Sequence, residues 1–232
     1  MPTDRPFQES SRLIARTVPG LHTRVVELIV ERYPRTARIL DLGCGTGALA
    51  SLLARFGFTD ITAVDRSAEG YAAEARFFAA NLDAPFADAL LEWAPHPVLY
   101  DLITAIEVIE HLENPSHFLR ECRKLLAQPS GRLLITSPNV ECVPGRLKFL
   151  RSGNLRHSDE HGDPTHLTPL LSSLLDRLAE RNGYEVEAQF PAPLPRRFHG
   201  SRAATDLLAR CIAPFLRGSL WGDCNIFILR VR

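Results

Sequence analysis

The 232-residue sequence predicts a doubly wound α/β fold with a seven-stranded, mostly parallel sheet and helices on both of its faces. Three observations lead to this prediction. Short apolar segments alternate along the chain with segments of helical periodicity. One apolar segment, residues 38–42, runs directly into a glycine-rich turn, which is typical of a buried parallel strand. The length and the 45% of hydrophobic residues suit one large domain.

The elements are predicted in order from apolar spacing and from helix caps. Asn114-Pro115 and Thr168-Pro169 each have the form of an N-cap followed by proline at the first helical position, and Ser67 is a candidate cap. The predicted helices are 22–33, 48–56, 67–81, 115–127 and 170–181. The predicted strands are 38–42, 61–64, 85–87, 101–106, 132–136, 184–190 and 225–231.

The predicted domain organisation has a short N-terminal segment and one main domain. Residues 1–36 form a helical segment that is a candidate lid, and residues 37–232 form the domain. The long connections 140–167 and 191–223 are expected on the ligand side, where they would shape a substrate pocket. Both contain basic and apolar residues. We interpret the first as a solvated helix face rather than an anion pocket, and the apolar stripe within 203–216 as packing rather than membrane contact.

Composition and charge limit the partners and the compartment. Lys and Arg number 27, as do Asp and Glu, so no global field favours nucleic acid, although such a partner is not excluded. The five cysteines contain no CxxC pair, which argues against a zinc ribbon or a disulfide framework. The N-terminus is polar, and no apolar stretch is long enough to cross a bilayer. These features predict a soluble, cytoplasmic protein.

The glycine-rich turn carries the most information about function. Gly43, Gly45 and Gly47 follow the first predicted strand with GxGxG spacing, where ligands bind in doubly wound sheets. The GxGxxG spacing of dinucleotide-binding proteins is absent, which disfavours a nicotinamide-dependent dehydrogenase. Asp65 ends the next predicted strand, where a carboxylate can accept hydrogen bonds from both hydroxyls of a ribose.

Four segments resemble the successive signatures of class I S-adenosylmethionine-dependent methyltransferases: RILDLGCGTGALA, ITAVDRS, YDLITAIEVIEHLENP and GRLLITSPN. The resemblance covers about residues 38–139. It implies a Rossmann-like fold with an antiparallel last strand and S-adenosyl-L-methionine as cofactor. The glycine loop would lie against the methionine part, Asp65 would hold the ribose, and Asp88 would meet the adenine amino group. The implied cofactor-binding residues are Asp41, Gly43, Cys44, Gly45, Gly47, Asp65, Arg66, Asp88 and Ile106.

Glu107, Glu110 and His111 follow the fourth predicted strand at spacing that places them on one helical face. Two carboxylates and an imidazole suit Mg²⁺ or Mn²⁺, and His166 is the best candidate for a fourth ligand, with His157 and His161 as alternatives. The segment resembles that of ubiquinone-pathway O-methyltransferases and the Glu-x-x-Glu-His plus distant His of small-RNA 3′-end 2′-O-methyltransferases. Without metal, His111 is the candidate general base, and a purely structural role remains open.

The sequence therefore predicts an S-adenosylmethionine-dependent methyltransferase, with Glu107, Glu110 and His111 as catalytic candidates. The leading expectation is O-methylation of a small hydroxylated molecule, because the chain reads AIEVIEHL after strand four and lacks the Asn/Asp-Pro-Pro-Tyr signature of many amino-methylating relatives. The alternatives are an RNA 3′-terminal 2′-O-methyltransferase and a non-catalytic S-adenosylmethionine-binding protein. A homodimer is a further expectation.

Overall fold

A seven-stranded sheet forms the centre of the computed structural model, which describes residues 13–94, 99–157, 162–193 and 203–232. The strand order is β3-β2-β1-β4-β5-β7-β6. β1 to β5 are parallel, whereas β7 runs antiparallel to both of its neighbours, as the resemblance implies. The strands are β1 Arg38–Leu42, β2 Asp60–Asp65, β3 Arg76–Ala79, β4 Leu102–Ile106, β5 Arg132–Pro138, β6 Tyr184–Ala192 and β7 Cys224–Val231.

Helices cover both faces of the sheet. They are α1 Leu21–Arg32, α2 Ala48–Arg55, α3 Ala87–Trp93, α4 Pro115–Leu125, α5 Val143–Ser152, α6 Ser172–Arg181 and α7 Ala203–Ile212, with short 3₁₀ helices at Ile109–His111 and Ala213–Phe215. Alternate residues of a strand face opposite sides, so β4 contributes Ile103 and Ala105 to one apolar core and Leu102 and Ile106 to the other. α3, α4 and α6 pack on the first core, and α1 and α2 pack on the second.

The region between β2 and α3 differs from the prediction. The predicted helix 67–81 and the predicted strand 85–87 are both wrong: the third strand is Arg76–Ala79, and residue 87 begins α3. Gly70 lies at φ 80°, and Ser67 Oγ accepts a hydrogen bond from the Glu69 amide in a local turn instead of capping a helix. The alanine-rich composition favours a helix locally, but tertiary pairing with β2 determines the outcome.

The two predicted cap-and-proline signals have different outcomes. Asn114 caps α4 as predicted, since its side chain accepts a hydrogen bond from the His117 amide at 2.9 Å. Thr168 does not cap α6, which begins at Ser172 instead of residue 170. The Thr168 amide donates to the carbonyl oxygen of Glu110 at 3.0 Å, which attaches this connection to the 3₁₀ helix that follows β4. No helix within the described residues is long and apolar enough to cross a membrane.

Candidate active site

A cavity of about 860 Å³ opens at the carboxyl ends of β1, β2 and β4. Its volume lies in the range of small-molecule and cofactor sites. The glycine loop, the ends of β2 and β3, the residues on either side of the first 3₁₀ helix with its last residue, and the connection after α5 all contribute to its wall. The cavity therefore lies where a doubly wound sheet binds its ligand. Of the predicted site residues, the lining includes Asp41, Gly43, Cys44, Gly45, Asp65, Arg66, Ile106, Glu107, His111, His157 and His166.

Glycine suits all three positions of this loop because each has a positive φ, and two of the positions also lack room for a side chain. All three have positive φ: 71° at Gly43, 52° at Gly45 and 84° at Gly47. A Cβ on Gly43 would lie 2.4 Å from a methyl carbon of Val108, and one on Gly47 would lie 2.5 Å from the Ala73 Cβ, so these positions allow close packing. A Cβ on Gly45 would meet no atom within 4 Å. A side chain at Gly45 would therefore extend into the open space of the cavity.

Two aspartates lie beside this loop and differ in their burial and hydrogen bonds. Thr104 donates to one carboxylate oxygen of Asp41 at 2.9 Å, and the other oxygen, Oδ2, is buried with no hydrogen-bond partner among the described residues. Burial, reinforced by the charge of Asp65, raises the pKa of Asp41 to about 7. Asp65 accepts from the amides of Gly45 at 2.8 Å and Arg66 at 2.6 Å, so its carboxylate is held at the rim of the loop.

The N-terminal segment covers part of the cavity. Thr46 Oγ1 accepts a hydrogen bond from the Ile14 amide at 3.0 Å and donates to the Ile14 carbonyl at 3.1 Å. Arg16 and His22 line the cavity from this side, and burial lowers the pKa of His22 to about 4. Residues 14–22 thus form a wall of the site. The earlier part of the predicted 1–36 segment, residues 1–12, lies outside the described residues.

Asp88 is not placed at the cavity. It lies in the first turn of α3 with its side chain 72% exposed, and its carboxylate pairs with Lys124 Nζ at 3.1 Å. This follows from the wrong position of strand three, because the observed β3 ends at Ala79, eight residues before the end of the predicted strand at residue 87. Asn81 and Asp83, directly after β3, line the cavity instead. Neither residue was predicted from the sequence, because the short strand before them has little apolar periodicity.

Glu110, His111 and His166 form a compact cluster beside the cavity, whose lining includes both histidines but not Glu110. One potential ligand atom from each lies within 4.8 Å of the other two. The amides of Leu167 and Thr168 donate to the Glu110 carbonyl at 2.8 and 3.0 Å, which brings His166 to the 3₁₀ helix. The Glu110 side chain is buried, and neither carboxylate oxygen has a hydrogen-bond partner among the described residues. Burial, and next the charge of Glu107, raises the Glu110 pKa well above its usual range.

Both histidines of the cluster are oriented by hydrogen bonds from their Nδ1 atoms. His166 Nδ1 lies 2.8 Å from the carbonyl oxygen of His157. His111 Nδ1 lies 2.9 Å from Thr165 Oγ1 and 3.2 Å from the Thr165 carbonyl oxygen. Because a carbonyl only accepts, these contacts favour protonated Nδ1 and leave each Nε2 with its lone pair. Burial, followed by the proximity of His166, lowers the pKa of His111.

The remaining predicted ligands are placed differently. Glu107, at φ 54°, lines the cavity, but its carboxylate accepts from Thr136 Oγ1 at 2.8 Å and from Cys224 Sγ at 3.3 Å. His157 supplies its backbone carbonyl to His166 rather than its ring. His161 lies outside the described residues. The sequence analysis missed Thr165 and its partner Asp163, since polar loop residues carry no periodic signal.

Comparisons with known proteins agree with this architecture. The profile of a family described as "Methyltransferase domain" matches residues 14–189, about three quarters of the chain. The chain is 39% identical over 107 residues to the ubiquinone biosynthesis O-methyltransferase of Caulobacter sp. K31, a match that covers 44% of this chain and 41% of that protein. The mitochondrial enzyme of that name from Schizosaccharomyces pombe is 36% identical over 107 residues, with 43% and 37% covered. The matches thus span less than half of these relatives.

Solved structures show the same fold at low sequence identity. A SAM-dependent methyltransferase from Archaeoglobus fulgidus has a TM-score of 0.55 at 18% identity, with 91% of this chain and 94% of that chain covered. The magnesium protoporphyrin IX methyltransferase of Synechocystis PCC 6803, solved with bound SAH, has a TM-score of 0.56 at 14% identity, with 91% and 82% covered. The family match and the shared fold together show that the chain belongs to the methyltransferase-domain family of class I S-adenosylmethionine-dependent methyltransferases.

Proposed function

We propose that this chain methylates a hydroxyl oxygen of a small acceptor, with S-adenosylmethionine as donor and a divalent cation at the Glu110–His111–His166 cluster. One observation carries the proposal: a single cavity joins the glycine loop to the two histidines of that cluster, and Glu110 lies buried within ligand distance of both. The methyl donor and the oxygen that receives the methyl group can therefore meet in one enclosed space. Methyl transfer needs this proximity, because the nucleophile must approach in line with the carbon that it attacks.

The residues around the loop fit the cofactor. The open space over Gly45 accommodates the methionine part, and the unpartnered Asp41 Oδ2 can accept a hydrogen bond from its amino group. Asp65 can accept from ribose hydroxyls with its remaining lone pairs. The adenine end then reaches Asn81 and Asp83, which take the role that the sequence suggested for Asp88. S-adenosylmethionine, when bound, supplies a methyl group activated by its sulfonium.

The cluster also fits a divalent cation. A buried carboxylate with two unpartnered oxygens is costly unless a proton or a cation compensates it. Glu110 provides the anionic oxygens, and His111 and His166 provide Nε2 atoms whose orientation is set by carbonyl contacts. This donor set suits Mg²⁺ or, better with two imidazoles, Mn²⁺. Such an ion, when bound, lowers the pKa of an acceptor hydroxyl. For Glu107 to join, its carboxylate must leave Thr136 and Cys224.

The class of acceptor is inferred from the names of the relatives. The relatives' names describe O-methylation in ubiquinone biosynthesis, which supports oxygen rather than nitrogen or carbon as the acceptor atom. A phenol, a catechol or a sugar would each present the hydroxyl that the cluster needs. If no cation binds, His111 is the base of the same reaction, because its lowered pKa keeps the imidazole neutral at physiological pH.

The direct test measures S-adenosylhomocysteine formation by chelator-treated protein on catechols, phenols and sugars, with and without Mn²⁺. We expect turnover on at least one hydroxylated class, and we expect Mn²⁺ to raise it. Asp88→Ala is the matched control for a cofactor-site variant such as Asp65→Ala, since Asp88 lies away from the cavity. Turnover only on amines would refute oxygen transfer, and cofactor binding without turnover on any class would favour a non-catalytic binding protein.

A second candidate, methylation of the 2′-hydroxyl at an RNA 3′ end, is favoured by the Glu110–His111–His166 cluster together with the segment's resemblance to small-RNA methyltransferases. A terminal ribose carries a vicinal diol, and both of its oxygens can bind a cation held at this cluster. Short RNAs with a free or a blocked 3′ end discriminate the two candidates. Methylation of the free end alone, with binding that weakens steeply as salt rises, would support the RNA reaction.

A further inference from the structure

Two helices in the variable connections form a small unit beside the cavity, which we call the helical cap: α5, the described part of α7 and the 3₁₀ helix Ala213–Phe215. It has a small core of its own, separate from the two main cores. Arg146 on α5 donates to the Arg217 carbonyl oxygen at 2.5 Å and so connects α5 to the segment after the 3₁₀ helix. The core consists of Cys142, Val143, Ala209 and Ala213, with Leu147, Ile212, Leu216 and Leu220 packed against it.

The apolar stripes of both helices continue past this core into solvent. On α5, Leu150 is three residues beyond Leu147, which packs against the core, and therefore lies on the same side of the helix, yet it is 82% exposed. On α7, Leu208 lies four residues before Ile212 and is also exposed. Phe215, directly after α7, is 87% exposed. Phe149 and Leu207 are exposed as well, so packing among the described residues explains only part of these stripes.

The charge of the helical cap is strongly biased. Residues 143–153 and 203–218, which include the whole cap, contain five basic side chains and one acidic side chain, Asp206, in a protein whose net charge is zero. The acidic residue just before α5, Glu141, accepts hydrogen bonds from the Ser172 amide and hydroxyl. An apolar surface bordered by basic residues complements a membrane with anionic headgroups. The basic residues are Arg146, Lys148, Arg151, Arg210 and Arg217.

We propose that the helical cap is a docking surface for an anionic lipid bilayer. Leu150, Phe215 and their apolar neighbours enter the boundary between headgroups and acyl chains, and the basic side chains remain at the level of the anionic headgroups. The apolar residues and the basic residues act together, since neither alone gives durable attachment at physiological salt.

The docking surface is connected to the cavity at both of its ends. Arg156, shortly after α5, makes a buried ion pair at 2.6 Å with Asp223, shortly after the 3₁₀ helix. Asp223 and His157, the neighbour of Arg156, both line the cavity. If the proposed function holds, docking places the acceptor side of the cavity next to the bilayer. The substrate class that follows is an amphiphilic hydroxylated molecule that reaches the cavity from the membrane.

The test is co-sedimentation of the full chain with vesicles of phosphatidylcholine containing about 30 mol% phosphatidylglycerol, compared with phosphatidylcholine alone. We expect binding to the anionic vesicles that weakens as salt rises. Leu150→Glu combined with Phe215→Glu should lower the partition coefficient at least about tenfold. Arg151→Gln combined with Arg217→Gln should lower it about thirtyfold, from the usual contribution of each basic side chain at an anionic surface.

The matched control is Phe56→Glu at the end of α2, because Phe56 is 49% exposed, as much as Phe149, but lies away from the cap. It should bind vesicles like the wild type. Circular dichroism verifies that every variant is folded, and vesicle binding needs neither cofactor nor acceptor, so failure of docking is distinct from failure of the proposed function. Absence of wild-type binding, equal loss in Phe56→Glu, or a dimer in sedimentation equilibrium that Leu150→Glu dissociates would overturn the proposal.

Discussion

The change of Glu110 to glutamine tests whether the Glu110–His111–His166 cluster binds a cation. Glutamine keeps the shape of the side chain but removes the charge and one anionic oxygen. In the metal-free protein the wild-type carboxylate is buried with both oxygens unpartnered. We therefore expect Glu110→Gln without metal to be at least as stable as the wild type, because it removes a carboxyl group whose ionised form the site does not compensate.

The expected magnitude follows from linkage between binding and folding. At a metal concentration of about one hundred times the dissociation constant, binding stabilises the folded state by about 2.7 kcal/mol. For a protein of this size that raises the melting temperature by about 5–10 °C. If loss of the carboxylate weakens metal binding about a hundredfold, the variant gains only about 0.4 kcal/mol at the same concentration. The melting temperature of Glu110→Gln should then rise by only about 1 °C.

The assay is thermal unfolding of chelator-treated protein with and without Mn²⁺, without cofactor or acceptor. Glu113→Gln is the matched control, since Glu113 is exposed and three residues further along the chain. It should keep the full metal-dependent increase. If Mn²⁺ leaves the wild-type melting temperature unchanged, or raises that of Glu110→Gln equally, the metal assignment is wrong and the buried carboxylate has another role.

Two other predictions concern the aspartates near the glycine loop. Asp65→Ala should weaken S-adenosylhomocysteine binding about a hundredfold in calorimetric titration, through loss of hydrogen bonds to a charged acceptor, whereas Asp88→Ala should leave the affinity unchanged. Equal affinities would reject the ribose role. Burial raises the folded-state pKa of Asp41 from 3.8 to about 7. The ligand-free wild type should therefore lose up to about 4 kcal/mol of stability relative to Asp41→Asn as pH rises from about 4 to about 7. Parallel urea-unfolding curves across that range would contradict the assigned shift.

Sequence reasoning succeeded where the signal was local. The apolar segment before Gly43 has alternate residues in both cores, so its hydrophobic run and its turn point to the same structure. It failed at β3, a four-residue edge strand whose side chains are only half-buried or exposed and which pairs on one side only. Such a strand has little apolar periodicity, and the alanine-rich composition before it favours a helix. The misplaced Asp88 is a direct consequence.

The cluster shows the same limit. The spacing of Glu110 and His111 indicated a shared face, and His166 was chosen from its position before a cap signal that forms no cap. What brings His166 to the cluster is the pairing of the Leu167 and Thr168 amides with the Glu110 carbonyl, a backbone contact without a side-chain signature. Glu107 was expected to join the cluster, but Thr136 on β5 and Cys224 on β7, both distant from it in sequence, hold its carboxylate.

The central claim is that the cavity at the glycine loop binds the methyl donor. Calorimetric titration of S-adenosylhomocysteine into chelator-treated wild type and Gly45→Leu tests it most directly, because a side chain at this position extends into open space without meeting neighbouring atoms. The positive φ of residue 45 adds a backbone strain of roughly 1–2 kcal/mol, which alone would weaken binding by no more than about thirtyfold. The account predicts saturable one-to-one binding to the wild type and none to a Gly45→Leu protein that remains folded by circular dichroism. No binding to folded wild type, or equal binding by both proteins, would contradict it.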